Sequence, residues 1–340
     1  MDIEKVLIEL CSLPGPAGFE EPVAQRVRSL LEPYMDDVWT DVLGNVIGVS
    51  RCGKEGARKL LLDAHIDEIG LIVTGVEEGF LRVAALGGAD ARVLPATGVT
   101  VLTEPPIFGV IDVLPPHVIK KEDAEKVIKI EDMFVDIGMA HEEAVKTVAQ
   151  GTPVVFAQEV RRLGADKLYG KALDDRAGIA AILRALDLLS GAYLGVDLYV
   201  MASVQEEVGV RGATPGVFAI APDMCVVVDV THAKTPDTKP HETGESLGGG
   251  VIISRGPNMN PAFTGSVIDL AREKGIDHQI NVEPGGNSGT NARAIQISRA
   301  GVVTALLSIP MRYMHSPFEV VSPEDIESVA RLIAEIAMTV

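Results

Sequence analysis

Apolar positions along this chain fall into three textures. In the first, a short unbroken apolar run stops on imidazole or acidic side chains. Lys59–His65 (Lys-Leu-Leu-Leu-Asp-Ala-His) ends on His65, residues 198–204 end at Gln205-Glu206-Glu207, and residues 225–228 end at Asp229. Such runs predict buried strands, and in open α/β sheets ligands sit beyond the carboxyl ends of strands. In the second texture apolar residues recur every three to four positions. Helices are predicted over 21–31, 176–189, 259–274 and 322–338, with Asp174-Asp175 as an acidic start and Ser322 as an N-cap. The N-terminal decapeptide reads as an acidic amphipathic helix rather than a signal peptide. The third texture spans residues 70–163: β-like runs at 70–76, 80–85, 99–102, 108–113 and 133–137, broken by Gly and Pro, with one helical turn at 141–149.

These patterns predict an α/β protein: a sheet covered by helices, with a small β-barrel-like domain inserted after the first ligand strand. The 340 residues, 47% of them hydrophobic, are enough for a large core and exclude a disordered chain. A net charge of −18 argues against nucleic acid and anionic membranes, which select clustered Lys and Arg. The apolar runs stop well short of the roughly 18 residues a membrane span requires. Three scattered cysteines, Cys11, Cys52 and Cys225, form neither a disulfide framework nor a C-x-x-C site, which points to a reducing, cytoplasmic setting.

The chemistry concentrates in five segments: His65-Ile-Asp67-Glu68, Asp174-Asp175-Arg176, Glu206-Glu207, Asp229 and His315. Each has an ordinary explanation by itself. A histidine at a core edge is commonly just hydrogen-bonded, acids before a helix complement its dipole, and an aspartate after a strand suits a turn. His232 competes with Asp229 as a ligand, and His315 reads equally as a packed loop residue. Two glutamates closing an apolar strand are harder to dismiss, since burying them is costly without a cation. Strand alternation would let one face a metal and the other a bound water. Of Asp174 and Asp175 only one is expected to point into the site, the other holding the turn with Arg176. Imidazoles and carboxylates in this number exceed one tetrahedral site and suggest two metals sharing a bridge.

In these five segments the chain resembles the tetrahedral aminopeptidases of metallopeptidase family 42, which include glutamyl and deblocking aminopeptidases and proteins once labelled endoglucanases. The resemblance rests on Asp63-Ala-His65-Ile-Asp67-Glu68-Ile-Gly70, Gly170-Lys-Ala-Leu-Asp174-Asp175-Arg176, Gln205-Glu206-Glu207-Val-Gly209, Val228-Asp229-Val-Thr and Arg312-Tyr-Met-His315-Ser-Pro-Phe-Glu319-Val. It implies that His65, Asp174 and Asp229 hold one divalent ion, and Asp174, Glu207 and His315 a second, with Asp174 bridging. It further implies Glu206 as general base, Asp67 as the partner of His65, and Asp175 as the residue shaping the bridge's turn. Zinc or cobalt, or else manganese, would fill the sites. A zinc-peptidase-like catalytic domain would comprise residues 1–69 and 164–340, and a PDZ-like assembly domain residues 70–163. Members assemble from dimer building blocks into tetrahedral dodecamers acting on short peptides. One departure concerns Thr290-Asn291-Ala292, where many relatives carry Thr-Asp-Ala; beside Arg293 it bears on the substrate pocket.

The leading expectation is therefore a cytoplasmic dinuclear metalloaminopeptidase. An amidohydrolase or deacylase acting on N-acyl amino acids and a non-catalytic assembly protein on the same fold are the alternatives. A cellulase fits poorly, because 4% aromatic residues offer few stacking platforms for sugars.

Overall fold

Two helices, α1 (Ile3–Ser12) and α2 (Glu21–Leu31), lead into the hairpin of β1 (Asp37–Thr40) and β2 (Val46–Ser50), then the buried strand β3 (Lys59–His65). Next come β4 (Gly70–Glu77), β5 (Phe80–Leu86), β6 (Gly98–Val101), β7 (Ile107–Ile111), β8 (Phe134–Asp136), α3 (His141–Thr147) and β9 (Pro153–Phe156). Strands β10 (Arg161–Leu163) and β11 (Lys167–Gly170) precede α4 (Leu173–Leu188), β12 (Asp197–Ser203), α5 (Ala213–Ile220), β13 (Met224–His232) and β14 (Val251–Arg255). The chain closes with α6 (Pro261–Glu273), β15 (His278–Val282), α7 (Ala292–Ile295), β16 (Val303–Met311), β17 (Glu319–Val321) and α8 (Pro323–Thr339). This computed structural model describes residues 1–115, 117–118, 126–239, 245–284 and 289–340.

The main sheet has the order β1-β2-β12-β3-β13-β16-β14-β15. Its centre, β12-β3-β13-β16, is parallel, with an antiparallel hairpin on one flank and β14 antiparallel to β16 on the other. The central strands are buried on both faces, which explains their unbroken apolar sequences. Alternation sends Leu60, Leu62, Val226, Val228 and Leu307 to the face covered by α1, α4 and α8, and Leu61, Val227 and Leu306 to the face covered by α5 and α7. Register then levels the strand ends. His65 lies opposite Ser203, and Val227 opposite Asp63, so Asp229, two residues on, comes level with His65.

Strands β4-β5-β8-β7-β6-β9 close into a barrel around Leu71, Val73, Leu81, Val83, Val99, Val101, Ile111, Val135 and Val154. The protein is thus a mixed α/β sheet covered by helices and carrying a small inserted barrel. Five barrel strands follow the predicted runs; β9, only four residues long, gave no separate signal. Beyond the barrel, β10 pairs with β11, and β11 with β17.

Two helix starts fall where expected but are built differently in detail. Ser322 occupies the N-cap of α8, but its buried hydroxyl makes no cap bond and has no partner; Asp325, one turn in, instead accepts from the backbone N–H groups of Gly248 and Gly250 at 2.7 Å each. In α4, Asp174 (φ −78°, ψ 109°) and Asp175 (φ −117°, ψ 38°) are not helical, so regular helix begins at Arg176. Among the described residues no helix is long and apolar enough to cross a membrane.

Candidate metal centre

The site forms where the carboxyl ends of β3, β12 and β13 meet the start of α4. His65 Nε2 lies 3.1 Å from Asp174 Oδ1. Its Nδ1 faces the Asp67 carbonyl at 3.1 Å and Oδ1 of the same residue at 3.4 Å. Burial works against a charged imidazole here, but the hydrogen bonds with Asp174 and Asp67 outweigh it and hold the His65 pKa well above its ordinary value. The second oxygen of Asp174, Oδ2, lies 3.6 Å from His315 Nε2, which is also 3.6 Å from Glu207 Oε2. Asp174 therefore stands between two histidines with one oxygen toward each.

Among the described residues, two sets of ligand atoms each gather within 4.8 Å: those of His65, Asp174 and Glu207, and those of His65, Asp175 and Asp229. Asp175 thus does more than shape the turn, contrary to the expectation that only one of the adjacent aspartates points inward. Neither residue has helical dihedrals, so the helix does not splay their side chains apart. Asp175 Oδ1 accepts from Gly178 N–H at 3.0 Å, while Oδ2 is buried without a partner. His232, the rival of Asp229, lines the pocket but is exposed and belongs to neither set.

The loop after β12 is held by its main chain. Asp67 Oδ1 accepts from Glu206 N–H and Oδ2 from Glu207 N–H, both at 3.0 Å. Strand alternation does not separate the two glutamates, because β12 ends at Ser203 and Gln205 takes a left-handed φ of 55°. The turn separates them: Glu207 reaches the His315 side, whereas Glu206 leaves Oε1 buried with no hydrogen-bond partner. Burial pushes the Glu206 carboxyl up to about 7, with His65 opposing the shift.

Three further features frame the site, two of them built on motif residues to which the sequence assigned no partner. Glu319 is 1% exposed; its Oε2 accepts from Leu173 N–H (2.9 Å) and Asp174 N–H (3.1 Å), and its Oε1 from His315 N–H (3.3 Å). One carboxylate thus fixes the backbone of two candidate ligands. Glu68 is buried against Lys171 (2.7 Å) and Arg176 (3.2 Å), and Arg176, fully buried, also donates to the carbonyls of Leu10, Leu13 and Ile66. Arg176 is therefore the hub that ties α1 and the end of β3 to α4. Finally, the barrel reaches the site: a Cβ on Gly88 would lie 2.8 Å from His315 Nδ1, and Asp90 N–H donates to the His315 carbonyl at 3.0 Å.

The pocket above the site, about 480 Å³, is walled by Glu283, Thr290 and Arg293 together with the residues just described. Asn291 does not face it. Its amide donates to Asp63 Oδ2 and Ser203 Oγ, both at 2.9 Å, beneath the sheet ends. The segment expected near the pocket is there, with Thr290 and Arg293 on the wall, while Asn291 anchors it from behind.

Burial and neighbouring carboxylates together drive Asp175, Glu207 and Asp229 well above the ordinary carboxylate range. Packing this many acids around one centre calls for positive charge among them, and mixed imidazole and carboxylate donors suit zinc, cobalt or manganese. The residues present fit a divalent ion.

Residues 44–332 match the M42 glutamyl aminopeptidase family. The chain belongs to that family. As an M42 aminopeptidase it is a hydrolase of peptide bonds. It is 36% identical to the lysyl aminopeptidase of Pyrococcus furiosus over 335 residues, covering 96% of this chain and 94% of that one. Among solved structures, it is similar to an aminopeptidase from Desulfurococcus kamchatkensis, with a TM-score of 0.92 and 36% identity over 99% of this chain and 94% of the other. The TET1 peptidase of Pyrococcus horikoshii, described as assembling into a tetrahedron or a large octahedral shell, gives 0.87 at 31% identity with both chains fully covered.

Proposed function

We propose that this M42 enzyme is a dinuclear metal-dependent aminopeptidase that removes N-terminal residues from short peptides. The observation that carries the reading is Asp174, whose two oxygens face different histidines. His65 and Asp229, with Asp175 beside them, would hold one cation, Glu207 and His315 the other, and Asp174 would serve both. Zinc or cobalt are the ions such ligands favour, with manganese third. Two divalent cations held there supply Lewis acidity toward the scissile carbonyl and make the attacking water more acidic.

Glu206 does the proton work. Its free Oε1 accepts the proton of the attacking water and passes it to the departing amine. Asp67 holds the Glu206 and Glu207 amides, and thereby the spacing of base and ligand. A pocket rich in carboxylates favours a protonated amino terminus over a blocked one, and its volume suits a terminal residue rather than a folded chain.

We carry over from the TET1 peptidase a homo-oligomeric, dodecameric assembly. Residues 70–163 would form the assembly domain, and 1–69 with 164–340 the catalytic one. Exposed Phe108, Val110, Val113 and Leu114 on and beside β7 are suited to subunit contact. Three free cysteines support a cytoplasmic setting. Glu206→Gln should keep both metals by elemental analysis and lose about 10²- to 10⁴-fold in kcat; a variant with near-native turnover removes the assignment. A panel of aminoacyl and N-acetyl aminoacyl anilides separates aminopeptidase from deacylase, since cleavage confined to blocked substrates rejects the former.

A further inference from the structure

The turn that carries Glu206 and Glu207 is held by four consecutive backbone N–H groups, each donating to a side-chain oxygen from elsewhere in the chain. Val204 N–H donates to Asn45 Oδ1 (3.0 Å), Gln205 N–H to Glu20 Oε1 (3.1 Å), and Glu206 and Glu207 N–H to the two oxygens of Asp67 (3.0 Å each). Asn45 also donates to the Gly212 carbonyl at 2.9 Å, closing the far end of the same loop. Backbone donors in a buried turn must find acceptors, but a neighbouring strand would ordinarily supply them. Here side chains of three separate segments do so, and Gln205 at φ 55° is the pivot between strand and site.

Glu20 stands out in this set. It is 5% exposed and lies outside every metal-ligand segment, at the start of α2. Its Oε1 accepts from both Gly18 N–H (2.7 Å) and Gln205 N–H, so it pins the left-handed pivot to the N-terminal segment. It also lines a cavity of about 620 Å³ together with Phe19, Leu43, Gly44 and Val204, and no candidate metal ligand lines that cavity. We propose that Glu20 is a positioning residue for the peptidase reaction: by fixing the Gln205 amide it sets where the Glu206 carboxylate stands. This rests on Glu206 acting as base, but the hydrogen bond itself can be tested without activity.

The experiment compares Glu20→Ala, Glu20→Gln and Glu20→Asp in the full-length protein. Amide hydrogen exchange over residues 203–209 and steady-state kinetics are followed together. Glu20→Ala opens the Gln205 N–H to solvent from the adjoining cavity, so exchange in that peptide should rise at least tenfold. Its kcat should fall about 10- to 100-fold with KM within twofold, the pattern of a misplaced group rather than lost substrate binding. Glu20→Gln keeps an acceptor oxygen at the same reach and should restore both readouts to within about threefold, whereas Glu20→Asp, one methylene short, should resemble the alanine variant. If Glu20→Ala leaves exchange in 203–209 unchanged, the positioning role is overturned. A glutamine variant as impaired as the alanine one overturns it too, since charge rather than the acceptor would then matter. Raised exchange with kcat unaltered overturns it as well, because the contact would then exist without setting the base; failure of the underlying reading is told apart by Glu206→Gln, whose near-native turnover would remove Glu206 as base whatever Glu20 does.

Discussion

Replacing Asp67 by Asn tests the site's wiring with one atom changed in role. Each Asp67 oxygen accepts one amide at 3.0 Å, from Glu206 and Glu207, and the side chain is fully buried. An asparagine keeps one acceptor and turns an NH2 donor toward the other N–H. Hydrogen bonds to a charged group contribute about 1.5–3 kcal/mol each, and neutral ones about 1. Losing one charged bond and weakening the second therefore costs roughly 3 kcal/mol. For a chain this long, near the low end of about 2–4 °C per kcal/mol, Tm should fall by about 6 °C. The freed amide belongs to either the proposed base, Glu206, or a proposed ligand, Glu207, so kcat should drop about 100-fold. Differential scanning calorimetry and initial rates at fixed metal concentration read the two effects. An asparagine variant within 1 °C and twofold of wild type would refute the claim that Asp67 works by holding these amides.

Other expectations follow from the same geometry. Gly88→Ala places a Cβ against the His315 ring, and metal titration should show one of two ions bound about 10- to 100-fold more weakly; two unchanged affinities would mean the ring has room to move. Chelation should lower Tm and readdition of zinc or cobalt restore it, because a ligand bound only by the folded state stabilises it; an unchanged Tm argues against a resident cation. Burial raises Asp325 to about 6 from 3.8. The folded state therefore holds a proton that the unfolded state has released between about pH 4 and 6, and this contribution to stability fades as pH rises through that window. Denaturant midpoints should show the advantage of wild type over Asp325→Asn shrinking from pH 4 to 6 and flat above; an advantage that grows with pH contradicts the assignment.

The sequence displayed the strand ends because both faces of β3, β12 and β13 are buried, which forces unbroken apolar runs that stop where water or a ligand begins. The barrel showed through its Gly and Pro punctuation. What stayed hidden was the work of isolated polar residues whose partners lie far along the chain. Glu319 meets Asp174 across 145 positions, Glu20 meets Gln205 across 185, and Asn291 meets Asp63 across 228. No local period records such pairs. Asp175 was misjudged for a different reason: adjacent acids diverge in regular structure, and the start of α4 is irregular. The split between Glu206 and Glu207 likewise comes from the turn at Gln205 and not from a strand.

The approach of the β5–β6 connection to His315 bears on how this architecture can be altered. Gly87 and Gly88 lie against Glu207 and the His315 ring, and Asp90 is bonded to the His315 backbone. The barrel is therefore no cassette to be excised or exchanged for another small domain with a plain linker closing the gap. Any replacement has to rebuild a side-chain-free stretch at this point, or the candidate site inherits a wall that does not fit. Drift in the barrel's outer surface is unconstrained by this contact, so that surface can change around an unchanged centre as long as those few residues are kept.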